Sequence, residues 1–101
     1  MTFAAGGGIR FAGERVAEQE EIVGYHLERA HRYRAELGLP DDRELRLRAA
    51  SALGAAGARA LVRGDVRGTI DLLRPAAELA RGEPGELSIL DDLISALSDA
   101  G

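Results

Sequence analysis

Residues 53–81 read LGAAGARALVRGDVRGTIDLLRPAAELAR. Gly64-Asp65 divides this stretch. A glycine suits the left-handed position that closes a helix, and an aspartate beside it can cap the next helix by accepting from its free N–H groups. Ahead of the corner, Leu53, Ala56 and Ala60 recur at spacings of three and four, with Leu61 alongside; behind it come Val66, Ile70, Leu73, Ala77 and Leu79. That spacing predicts two amphipathic helices joined by a tight turn. Gly54 and Gly57 each cost the first of these helices about 0.8–1 kcal/mol relative to alanine. Two such residues in one helix predict a close crossing, where a small side chain lets backbones approach and a large one fills the gap.

Working outward, the second helix starts near Arg43, behind the turn Gly38-Leu39-Pro40-Asp41-Asp42, where Asp41 or Asp42 can cap it. Before that turn, Arg15 to Leu37 has no proline, and Val16, Val23, Leu27, Ala30 and Leu37 recur helically. Residues 1–13 hold four glycines and no sustained period, so they are read as a flexible leader ahead of a single helical domain, 14–101. After Arg81-Gly82-Glu83-Pro84-Gly85, a fourth helix from Glu86 to Asp99 carries Leu87, Leu90, Leu93, Ile94 and Leu97. No segment alternates with a period of two, so the fold class is all-α: four helices packed as antiparallel hairpins.

A shift of 37 positions lays the fourth helix on the second, pairing Leu53 with Leu90, Ala56 with Leu93, Ala60 with Leu97 and Gly64 with Gly101. A period in the thirties with paired helices marks a helical solenoid. Leu53, Ala56-Gly57, Gly64-Asp65, Thr69, Leu73 and Ala76 together resemble a tetratricopeptide repeat, with Ala60 where the repeat has a tyrosine and Pro75 where it has a charged residue. Proline within the third helix removes a ladder bond and presses on the Asp71 carbonyl, which predicts a kink. The wording of Glu21 to Ala30, Arg34 to Gly38 and Ala55 to Leu73 is more particular. From about Phe11 to Leu97 it is similar to the helical-repeat region of large bacterial signalling proteins that join a class III nucleotide cyclase domain to a predicted AAA-type ATPase. The catalytic motifs of those domains have no counterpart in this chain, so the resemblance implies an interaction role and neither activity. It also leaves open a remnant of such a protein.

Composition narrows the function further. There is no cysteine, which removes disulfides and thiolate metal sites. No apolar run approaches the roughly 20 residues of a membrane span, and Met1 to Gly13 makes a poor signal peptide, so a cytoplasmic protein is expected. Every basic side chain is arginine, as GC-rich coding would give. A net charge of −4 argues against a nucleic-acid partner, although Arg29, Arg32, Arg34, Arg43, Arg46 and Arg48 could form one basic rim as a rival DNA-binding surface. Glu28-Arg29-Ala30-His31 fits the Glu-x-x-His unit of di-iron bundles, but His26 lacks the matching glutamate, so no metal, cofactor or catalytic residue is assigned.

The expected function is therefore non-catalytic protein–protein interaction. The resemblance to tetratricopeptide repeats places a partner groove on Ser51, Gly54, Ala58, Leu61 and Val62. None is charged, so the groove suits a helix rather than a terminal carboxylate. The fourth helix is half a hairpin: Leu90, Leu93 and Leu97 can lie on the third helix, but Leu87, Ile89, Ile94 and Ala96 extend its apolar surface too far round for one neighbour. Leu87, Ile89, Ile94 and Leu97 are accordingly assigned to self-association as a homodimer.

Overall fold

The computed structural model describes residues 2–100, with side chains described from residue 18 to residue 100. Among these residues there is no strand. Four helices follow in order: α1 (Thr2–Glu36), α2 (Arg43–Val62), α3 (Val66–Leu79) and α4 (Glu86–Ala100).

The corners are built by the residues that mark them in the sequence. Gly38, Gly64 and Gly82 all have positive φ, at 72°, 81° and 78°. After α1, Gly38 N–H donates to the Ala35 carbonyl and Leu39 N–H to that of Arg34, which satisfies carbonyls the helix end would leave free. Gly64 and Asp65 repeat the arrangement on Leu61 and Ala60. Asp42 caps α2 by accepting from Leu45 N–H at 3.1 Å, and Asp65 caps α3 by accepting from Gly68 N–H at 2.9 Å.

α2 packs against both α1 and α3, while α4 packs on α3 and touches α2. The core between them is made largely of small residues: Ala49, Ala50, Leu53, Ala76, Leu79 and Ala80, with Leu27, Leu72 and Ile89 packed against it. Leu73 and Thr69 are fully buried, and Thr69 satisfies its hydroxyl by donating to the Asp65 carbonyl at 2.7 Å. Gly57 lies against Leu73, so close that a Cβ built on it would stand 2.6 Å from Leu73 Cγ. The crossing of α2 and α3 thus depends on one residue without a side chain facing one that is large. α3 continues through Pro75 to Leu79.

Three features differ from the expectations. α1 begins at Thr2 rather than near Arg15, because no proline or cap residue interrupts the ladder there; the side chains of the expected leader lie outside the described residues. The buried edge of α1 is also rotated by one residue. Val23 is 45% exposed and Leu37 74%, whereas Gly24 is buried, with Leu53 Cδ2 2.8 Å from where its Cβ would be. A glycine brings α1 closer to α2 than valine could, so the seam follows Gly24 and Leu27. In α4, Ala96 is fully buried although the sequence placed it on the outer face, and Leu87 and Ile94 are exposed.

A polar clasp joins two turns distant in the chain. Arg46 donates to the Leu79 carbonyl at 2.8 Å and pairs with Asp41 and Glu83, both at 3.1 Å, while Arg43 pairs with Glu83 at 2.8 Å. The hydrogen bond from Arg43, joined by that from Arg46, outweighs partial burial and holds the Glu83 carboxyl below its ordinary pKa. Glu83 therefore binds its proton less readily in the folded chain than in the unfolded one. Its contribution to stability is complete above the usual glutamate value of about 4.3 and fades as pH falls through the depressed folded value. Denaturant titrations across that window should show a shallower acid loss for Glu83→Gln than for the parent chain. Identical slopes would mean that the clasp contributes nothing to stability.

Candidate functional site

The first candidate surface lies between α2 and α4. Successive helices leave a furrow wherever two that are not adjacent in sequence flank the one between them. Here the furrow is a cleft of about 420 Å³, lined by Leu47, Ala50, Ser51, Gly54 and Ala58 of α2 and by Ile89 of α4. The structure thus brings together Ser51, Gly54 and Ala58 of the five groove positions. Leu61 is half-buried outside the cleft, and Val62, at the end of α2, is 89% exposed. Gly54 faces Ile89 across the cleft, and a Cβ there would make an ordinary contact with Ile89 Cγ1 at 3.4 Å. The walls are mostly apolar, with Glu83 at one end and Asp92 on the α4 side.

On the side of α4 turned away from the cleft-lining Ser88, Ile89 and Asp92, Leu87 (74% exposed), Ile94 (61%) and Leu97 (41%) are spaced by seven and three, so that they share one helical face. Of the four residues assigned to self-association, Ile89 alone is elsewhere: it is packed against the core and faces Gly54. Glu86, Asp91, Asp92 and Asp99 are the charges of α4, and it carries no base.

The arginine rim is largely occupied by the protein itself. Arg32 pairs with Glu28, Arg43 and Arg46 hold Glu83, and Arg34 donates to the Pro40 carbonyl at 3.1 Å. Arg29 is held between Tyr25 and Tyr33, donating to both hydroxyls while its guanidinium lies 5.4 and 5.5 Å from the two ring centres. Arg48 is exposed. The Glu28-x-x-His31 unit is likewise drawn into other work: Glu28 accepts from Arg32, and His31 is half-buried at the α1–α3 boundary. Among the described residues no group of three His, Cys, Asp or Glu side chains is placed to hold a metal ion. Nor is any helix among them long and apolar enough to cross a membrane.

A second cleft, not assigned from the sequence, separates α1 from α3. It measures about 620 Å³ and has Leu53 among its lining residues. The available signal was Ile22 and Tyr25, 55% and 52% exposed, which are large apolar residues away from the α1 seam. Placing that seam on Val23 rather than Gly24 hid them. Set against known protein families, curated proteins and solved structures, the chain has no match in any of the three.

Proposed function

We propose that the chain is a non-catalytic protein-interaction module, built from antiparallel helical hairpins of the tetratricopeptide kind, whose exposed α4 face engages a second copy. The observation that carries this reading is the stripe Leu87, Ile94 and Leu97, open to solvent along one face of α4. Water-exposed apolar faces of this kind gain by association, and a two-fold contact is the commonest way for one chain to cover its own. The similarity to the repeat region of multidomain signalling proteins supports a scaffolding role of this class.

Light scattering at micromolar concentration is the test. A mass of twice the 10.7 kDa chain is expected, with Ile94→Glu weakening the dimer at least about tenfold, because a carboxylate would then be desolvated at the centre of the contact. Ile94 is exposed in the single chain, so the variant should keep its helical circular dichroism. A monomer at every concentration would overturn self-association.

A further inference from the structure

We infer that the groove between α1 and α3 is a second docking surface, and that it takes a basic amphipathic segment of another protein. The inference is independent of self-association through α4. The main cleft adjoins a smaller one of about 300 Å³, and the two share Glu28, Arg32 and Pro75. Together they follow α1 from Glu18 to Ala35, which at 1.5 Å per residue is about 26 Å. That is the length of several helical turns, so the groove matches an extended chain segment rather than a compact molecule.

Its chemistry selects the kind of segment. Ile22 and Tyr25 form one apolar wall, Leu72 and Pro75 the other, which provides seats for apolar anchors. Around them stand Glu18, Glu21, Asp71 and Glu78. Asp71 pairs with Arg67 one turn before it, at 3.6 Å, while the two arginines of the lining are held elsewhere, Arg32 by Glu28 and Arg46 by Asp41 and Glu83, so the negative charge of the groove comes mainly from Glu18, Glu21 and Glu78. Carboxylates beside low-dielectric apolar walls focus a negative potential into the groove. A segment with leucine-like residues on one face and arginine or lysine on its flanks satisfies both demands.

The test uses a fluorescent helical peptide of about 18 residues, with leucines at spacings of three and four and arginines on both flanks, and a twin in which glutamate replaces each arginine. Anisotropy should show binding of the arginine peptide that weakens with added salt, and none of the twin. Glu21→Arg/Asp71→Arg should weaken binding at least about tenfold. Asp91→Arg/Asp99→Arg changes the net charge equally but lies on α4, and should bind as the parent does. All four positions are exposed, so both variants should remain folded by circular dichroism. Equal weakening by the two variants would reduce the effect to net charge and overturn the proposal, as would equal binding of the two peptides or none of either. A loss of dimer mass in Glu21→Arg/Asp71→Arg would also overturn it, by making a second copy the occupant of the groove.

Discussion

Truncating Leu73 to alanine is expected to lower the unfolding free energy by about 2–5 kcal/mol, towards the upper end of that range. The size follows from what surrounds it. Leu73 is fully buried, and across the α2–α3 crossing it faces Gly57, with Ala56 and Ala60 buried on the same helix. A cavity is tolerated best where neighbouring side chains can swing in to fill it, and glycine and alanine have nothing to swing. The loss should shift the urea midpoint with little change in slope, since the surface exposed on unfolding hardly differs. A shift equivalent to less than about 1 kcal/mol would show that this leucine does not hold the crossing together.

The second large effect should come from the opposite partner. Gly57→Leu is expected to cost about 1–3 kcal/mol or more, because even its Cβ would overlap Leu73, and Leu72 Cβ stands 3.5 Å away. Helix propensity alone predicts the reverse sign, a gain of up to about 1 kcal/mol, so the direction of the change decides between the two effects. Combining substitutions gives a sharper check. Gly57→Ala should be destabilising alone and less so in the Leu73→Ala background, where the removed side chain leaves room for a methyl group. Strict additivity of the pair would mean that the two residues do not share one contact.

Both residues were legible before the structure, and the reason is physical. At a corner such as Gly64-Asp65, local backbone requirements restrict the residue choice, and the structure keeps both the positive φ and the cap. Two glycines in α2 are expensive enough to signal contacts, and the structure sets Gly57 against Leu73 of α3 and Gly54 against Ile89 of α4. Gly24 was missed for a related reason: hydrophobic periodicity scores side chains, and a seam position with none leaves no mark, so Val23 beside it took its place. The α1–α3 groove depended on how far apart two helices stand that are not neighbours in the chain, and no local spacing encodes that distance. Within the α2–α4 cleft, Ser51, Gly54 and Ala58 fall together, whereas Leu61 and Val62 lie outside its lining.

The clasp of Arg43 and Arg46 on Glu83 bears on how the molecule opens. A row of helices that each rest mainly on their chain neighbours can fray from its ends, one element at a time, since releasing the last helix disturbs little beyond the one before it. Here Glu83, in the turn that launches α4, is gripped from the first turn of α2, forty residues earlier. Peeling α4 away while keeping that grip strains the turn; releasing the grip loosens the entry to α2 as well. The clasp thereby ties the two turns together, and amide protons at both sites are expected to quicken together in hydrogen exchange when Glu83 is replaced by Gln.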